Sequence, residues 1–151
     1  MKACCVTGHR DIADDKISYV TDELRREIEE AISDGFTFFI SGFAPGVDMM
    51  FARLVIELKE KYPNIFLEAA LPYPTWLKNR SAEDKEVFNK CMGFGIHIPK
   101  YTPNCFLIRN RFMANTCERV IAVYDGREKG GTVNTIRYAA VLERDIRTIK
   151  I

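Results

Sequence analysis

A chain of 151 residues that is 47% apolar and 28% charged has the size and balance of one globular domain with a sizeable core. Its 22 basic and 21 acidic residues leave a net charge of +1, which argues against a duplex-DNA or anionic-membrane footprint. No run approaches the ~18 apolar residues of a transmembrane helix, and Met1 to Val6 is too short for a signal peptide, so a cytoplasmic protein is expected. The five cysteines fit that compartment. Cys4 and Cys5 are neighbours, while Cys91, Cys105 and Cys117 show no C-x-x-C spacing. His9 and His97 complete no metal site with them, so neither a disulfide nor a metal is expected.

Lys2 to Val6 reads as a first strand, in which Cys4 and Cys5 point to opposite faces. A polar turn, Thr7-Gly8-His9-Arg10, ends it. A helix follows over Lys16 to Ser33, with Ile17, Val20, Leu24, Ile28 and Ile32 on one face and Gly35 as its C-cap. Phe36 to Ile40 is an apolar second strand. It breaks at Ser41-Gly42, turns through Pro45-Gly46 and opens a helix at Val47-Asp48 that runs to about Lys61. Ile65 to Leu71 is a third strand, closed by Pro72-Tyr73-Pro74, which forbids regular pairing. Glu68 inside it reads as a solvent-facing edge-strand residue.

Ser81, with Asp84 three residues on, resembles a capping box for a helix over Ala82 to Met92. Gly95 to Pro99 is a short fourth strand or extended piece. Asn104 to Thr116 is helical, anchored by Phe106, Ile108, Phe112 and Met113. Arg119 to Tyr124 is a strong strand that ends at Asp125-Gly126. Lys129-Gly130-Gly131-Thr132 leads into a helix from Val133 to Leu142, and Arg147 to Ile151 is a last strand. Strands and helices alternate throughout with short connections. That pattern predicts an α/β fold: a single doubly wound, mostly parallel sheet flanked by helices, Rossmann-like, with residues 1–151 as one domain.

In such a sheet, ligands bind beyond the carboxyl ends of the strands. Three loops there carry chemistry. Thr7-Gly8-His9-Arg10 offers a hydroxyl, a small residue, an imidazole and a guanidinium suited to phosphate. Ser41 to Asp48 is a strand-to-helix turn in which Gly42 and Gly46 permit positive φ and close ligand approach. Asp48, in the first helical turn, suits a ribose hydroxyl, helix-end stabilisation or catalysis. Gly130-Gly131-Thr132 can form an anion-binding nest of N–H groups, or end simply in Thr132 as an N-cap. The Walker order Gly-Lys-Ser/Thr is missing, which argues against P-loop triphosphate hydrolysis. Tyr73, Trp76 and Tyr124 are candidates to stack a base or to pack in the core.

Together the Thr7-Gly8-His9-Arg10 turn, Ser41-Gly42-x-Ala44-x-Gly46-Val47-Asp48 and Gly130-Gly131-Thr132 resemble the SLOG superfamily. That group is the Rossmann-like fold shared by the DNA-processing protein DprA and the LOG cytokinin-activating enzymes. The branch it looks most like is the YpsA-like family of Firmicutes, with its phage-borne relatives. Arg109-Asn110 resembles the Arg-Asn pair such proteins carry at a helix start. The resemblance covers essentially the whole chain. It implies a pocket for a nucleotide-derived ligand of the ADP-ribose, NAD or nucleoside monophosphate type, with no required cofactor and a possible homodimer. The residues it marks are Thr7, Gly8, His9, Arg10, Ser41, Gly42, Gly46, Asp48, Arg109, Asn110, Gly130, Gly131 and Thr132.

LOG enzymes cleave an N-glycosidic bond using a Glu shortly after their Gly-Thr loop. Here Val133-Asn134-Thr135-Ile136-Arg137 contains no acid, and Glu143 lies about three turns away. Asp48 and Asp125 are the weak catalytic candidates, with Asp11 a third. A binding or sensing module is therefore expected before an N-glycosidase. Single-stranded DNA binding, as in DprA, needs a basic groove that the balanced charge does not supply.

Overall fold

The computed structural model describes residues 2–96 and 101–151. Chain order is β1 (Lys2–Thr7), α1 (Ile17–Ser33), β2 (Phe36–Ser41), α2 (Val47–Lys59), β3 (Phe66–Leu71) and α3 (Ala82–Asn89). β4 (Gly93–Ile96), α4 (Cys105–Thr116), β5 (Arg119–Tyr124), α5 (Gly131–Val141) and β6 (Asp145–Lys150) complete it. A 3-10 turn over Asp14–Lys16 precedes α1. The strands form one sheet of order β4-β3-β2-β1-β5-β6. Every pairing is parallel.

A parallel sheet must cover both its faces, so its central strands are apolar without alternation. β1 and β5 follow this rule, with Ala3 to Thr7 and Arg119 to Val123 all buried. Successive side chains serve opposite cores. Cys4 and Val6 join an apolar cluster with Val20, Leu24 and Ile28 of α1 and Phe51 and Val55 of α2. Cys5 joins the other, with Met113 and Ala114 of α4 and Ala139 of α5. All five thiols are free. Burial pushes Cys4 well up from an ordinary thiol, and Cys91 up to about 12.

Several boundaries differ from expectation, each for a physical reason. The buried stripe of α1 is Val20, Leu24, Glu27, Ile28 and Ala31, whereas Ile17 sits at the helix start and is exposed. Ser81 does cap α3, its Oγ accepting the Asp84 N–H at 3.1 Å. The Asp84 carboxylate does not reciprocate; it pairs with Arg53 at 2.6 Å and Arg80 at 3.0 Å. α5 starts at Gly131, because a glycine at Gly130 (φ 124°) makes the turn into the helix. Glu68 is not on an edge strand: β3 pairs with β2 on one side and β4 on the other. The fourth strand begins at Gly93 rather than Gly95, and the part of that expectation over 97–99, with His97, lies outside the described residues.

The chain winds outward from β1 through β2 and β3 to β4, then crosses back to add β5 and β6 on the other side. The reversal falls between β1 and β5, where the loops leaving their carboxyl ends diverge and open a crevice. At the opposite edge Arg119 closes the sheet: buried at the start of β5, it pairs with Asp34 and Asp145 at 2.8 Å each.

Candidate functional site

A cavity of about 450 Å³ occupies the crevice between β1 and β5, within the range of small-molecule sites. Residues from five places meet there: Thr7 to Asp11 after β1, Ala44 and Asp48 at α2, Phe106, Arg109 and Asn110 on α4, Arg127 after β5, and Gly131 and Thr132 on α5.

The β1 loop is fastened from both sides. Gly8 lies so close to α2 that a Cβ would meet Val47 Cβ at 2.5 Å. The His9 carbonyl accepts the Val47 N–H at 3.2 Å, which closes one of the open donors of α2. The imidazole is buried, and its Nε2 accepts the Asp125 N–H at 3.2 Å. A neutral ring with its proton on Nδ1 makes that bond, while Asp125 Oδ1, also 3.2 Å from Nε2, faces the ring when it is protonated. Burial lowers the His9 pKa, against a smaller opposing pull from Asp125.

The turn after β2 is tied internally. Ser41 Oγ donates to the Asp48 carbonyl at 2.8 Å and accepts the Phe43 N–H at 3.2 Å. Asp48 Oδ2 accepts the Ala44 N–H at 3.2 Å. Phe43, at φ 55°, and Gly46, at φ 84°, take the left-handed conformations. Gly42 does not, which corrects the expectation for it; its missing Cβ instead makes room for Arg109 Nη1, 2.5 Å from where that atom would stand. Gly46 meets the His9 carbonyl in the same way, at 2.6 Å.

Arg109 bridges the ends of two strands, donating from Nη1 to the Gly42 carbonyl at 2.6 Å and the Ala70 carbonyl at 3.3 Å. Its Nε donates to Asn110 Oδ1 at 2.8 Å. The guanidinium thus sits buried beside the buried Asp48. Burial raises the Asp48 pKa, opposed first by Arg109 and then by the Ala44 N–H, Arg10 and Arg80. Burial likewise lowers that of Arg109. Each charge makes the other tolerable in a dry place.

At the far wall, α5 opens with no side-chain cap. Its first N–H groups and the positive end of its dipole are directed at the strand edge. Thr132 is buried and lines the cavity rather than capping the helix; Thr135 Oγ1 turns back to the Gly131 carbonyl at 2.8 Å. Arg127 lines the cavity from the β5 loop and is held by Asp125, at 2.6 Å, and Asp11, at 3.6 Å. The Arg127 side chain holds the Asp125 carboxyl well below the usual range. Arg10 is exposed on the rim and, among the described residues, has no hydrogen bond or ion pair. It rests over the rings of Trp76 and Phe106 at 5.4 and 5.3 Å.

Of the anticipated residues, Thr7, Gly8, His9, Arg10, Asp48, Arg109, Asn110, Gly131 and Thr132 line the cavity. Ser41, Gly42, Gly46, Gly130 and Asp125 do not: Ser41 is spent on its own turn, and Asp125 is engaged by Arg127. Phe106 and Arg127 were missing from the anticipated set. Phe106 stands three residues before Arg109, on one helix face, and that spacing was its available signal. Among the described residues no cluster of His, Cys, Asp and Glu is arranged to hold a metal ion. No described helix is long and apolar enough to cross a membrane.

The architecture and the crevice define a Rossmann-like domain of the SLOG type. A family model described as the YspA SLOG family (YpsA) matches residues 4–149. The chain belongs to that family. A UPF0398 protein of Bacillus pumilus (strain SAFR-032) is 24% identical, over 92% of this chain and 82% of its own length. A UPF0398 protein of Bacillus thuringiensis (strain Al Hakam) is also 24% identical, over 97% of this chain and 86% of the relative. Among solved structures, DNA processing protein A from Helicobacter pylori superposes with a TM-score of 0.70 at 17% identity. That match covers 97% of this chain and 64% of the Helicobacter chain, whose structure was described for its single-stranded DNA binding mode. The protein TM1055 superposes with a TM-score of 0.64 at 16% identity, over 97% of this chain and 72% of that one. At these identities the two structures establish the fold.

Proposed function

We propose that this chain binds a nucleotide-derived small molecule, of the ADP-ribose, NAD or nucleoside monophosphate type, in the crevice between β1 and β5. One observation carries the reading: the uncapped start of α5 opens on the same cavity as Arg10, a guanidinium with no carboxylate partner among the described residues. Helix N-termini bind phosphate through open N–H groups and dipole, and a free arginine adds charge-assisted bonds. Asp48, across the cavity, accepts a ribose hydroxyl. The ligand's role is binding or sensing, not turnover. Glycosidic cleavage needs a carboxylate at the anomeric carbon, and the helix after Thr132 brings none. Single-stranded DNA is the second reading, favoured by the likeness to the Helicobacter protein and opposed by the net charge of +1.

The test is calorimetry with ADP-ribose, AMP and inorganic phosphate, with a short oligonucleotide as a fourth arm. Gly131 makes it clean. A Cβ there meets nothing closer than Asn110 Nδ2 at 3.6 Å, so a side chain fits the protein while obstructing a phosphate. Gly131→Val is expected to stay folded and to lose ADP-ribose and AMP. Arg10→Ala should weaken both by about 1.5–3 kcal/mol, the usual worth of a charged hydrogen bond. Asp48→Asn should weaken ADP-ribose and leave phosphate nearly untouched. A folded Gly131→Val protein that binds as the parent does would move the phosphate off this loop. Tight binding of the oligonucleotide alone would favour the second reading.

A further inference from the structure

The wall of the cavity beside Arg10 is aromatic, and phosphate and ribose recognition leave it unused. Phe106 lines the cavity, and Trp76 stands next to it, with ring centroids 5.2 Å apart. Tyr73 packs edge-on against both, at 5.5 Å from Trp76 and 6.3 Å from Phe106. Tyr101, 61% exposed, extends the cluster outward at 5.5 Å from Tyr73. The indole is fixed in place: its Nε1 donates to the Gly42 and Phe43 carbonyls, at 3.2 and 3.1 Å. A rigid, half-buried aromatic surface is costly to leave beside water, and here a guanidinium covers it.

Two guanidiniums lie over the indole, Arg80 at 5.1 Å and Arg10 at 5.4 Å. They differ in commitment. Arg80 pairs with Asp84 at 3.0 Å and donates to the Phe43 carbonyl. Arg10 has only its ring contacts among the described residues. A cation–π contact at a solvent-facing site is weaker than a charge-assisted bond to phosphate. Arg10 is therefore the cover that a phosphate-bearing ligand can lift.

We propose that Phe106 and Trp76 form a base-stacking subsite, covered in the free protein by Arg10 and uncovered when a nucleoside phosphate binds. This rests on the reading of the cavity as a nucleotide site. In the exchange Arg10 leaves the rings for the phosphate, and the planar base of the ligand takes its place in the corner they form, stacked on one ring and met by the other edge-on, since the two planes stand at 69°. A sugar phosphate without a base also draws Arg10 away, but leaves the rings bare to water. The subsite thus selects a ligand carrying both phosphate and base over either alone.

Trp76 is the sole tryptophan, so its emission reports on this wall directly. AMP and ribose 5-phosphate are titrated into the unmodified protein by calorimetry and by tryptophan fluorescence. AMP is expected to bind on the order of ten-fold tighter, as one stacked base implies, and to quench Trp76 more strongly at saturation. Phe106→Leu should bring that ratio of affinities to within ~3-fold, because one of the two rings that hold the base goes. In the ligand-free protein, Arg10→Ala should raise the sensitivity of Trp76 to acrylamide, since the cover is gone. Equal affinities for AMP and ribose 5-phosphate would overturn the base subsite and leave the phosphate reading standing. Unchanged acrylamide quenching would overturn the covering role of Arg10. Binding of neither ligand would remove the nucleotide reading and this inference with it.

Discussion

His9 is a buried ring with both of its neighbours chosen. Its Nε2 takes the Asp125 N–H at 3.2 Å, so a proton added there ends that bond and turns to Asp125 Oδ1, also at 3.2 Å, which only partly offsets the cost of burial. Burial is the larger influence and lowers the folded pKa. The unfolded chain binds a proton near the ordinary value of about 6.5, while the folded ring still refuses it. The stability His9 supplies is therefore fully present above about pH 6.5 and is lost as pH falls towards the lowered folded value. Asp48 acts in the opposite sense, since burial raises its pKa: its contribution is present below the ordinary carboxylate range and fades as pH rises through the folded value. The useful measurement is thus a difference between proteins. His9→Gln keeps an acceptor for the Asp125 N–H but does not titrate. Its unfolding temperature, followed from pH 7.5 to pH 5.5, is expected to fall less than that of the parent. A parent curve no steeper than the variant's would remove His9 as the titrating stitch between the β1 and β5 loops.

At the scale of elements, the turn between β2 and α2 separates what a sequence displays from what it hides. The apolar run into Ser41 and the helix after Val47 are local patterns, and both stand where the pattern put them. The reason for Gly42 is not local. Its neighbour is Arg109, 67 residues further along, which reaches the Gly42 carbonyl from α4. Glycine in a motif suggests ligand approach, but at Gly8, Gly42 and Gly46 the protein itself comes close. Of the three only Gly8 reaches the cavity wall, which continues on Arg10, Asp48 and Gly131. Phe106 was read as a packing anchor for the same reason: helical periodicity marks a face as apolar without saying whether protein or ligand covers it. These glycines lead to a ranking. Gly46→Ala must place a Cβ 2.6 Å from the His9 carbonyl at φ 84°, and backbone cannot yield as a side-chain tip can. Denaturant unfolding should show it destabilised by more than about 2 kcal/mol, whereas Gly131→Ala stays within about 0.5 kcal/mol of the parent. Equal stabilities would mean that the β1 and β2 loops are not in contact as described.

In the whole molecule, the two edges of the sheet do different work. At the amino edge, a buried Arg119 stacks on Phe36 at 4.6 Å and pairs with Asp34 and Asp145, so α1, β2, β5 and β6 are locked by charges already matched. At the carboxyl edge the loops meet largely through hydrogen bonds to backbone and through glycine contacts, with open N–H groups on α5 and a guanidinium, Arg10, that has no carboxylate partner among the described residues and rests only on aromatic rings. A ligand seated in the crevice touches three loops that leave three different strands, so it couples segments that the sheet alone joins at a distance. Binding adds stability by mass action, about 2.7 kcal/mol at a hundred times the dissociation constant. Where it adds it is the stronger prediction. With saturating ADP-ribose, amide exchange should slow together at Gly8 to Asp11, at Ala44 to Asp48 and at Gly131 to Val133. Exchange around Asp34, Arg119 and Asp145 should not respond, because those charges are paired with one another without ligand and lie at the opposite edge. Protection confined to one of the three loops would place the ligand outside the crevice. Uniform protection of both edges would mean that the ligand acts on global unfolding alone, with no local ordering of the loops it was expected to join.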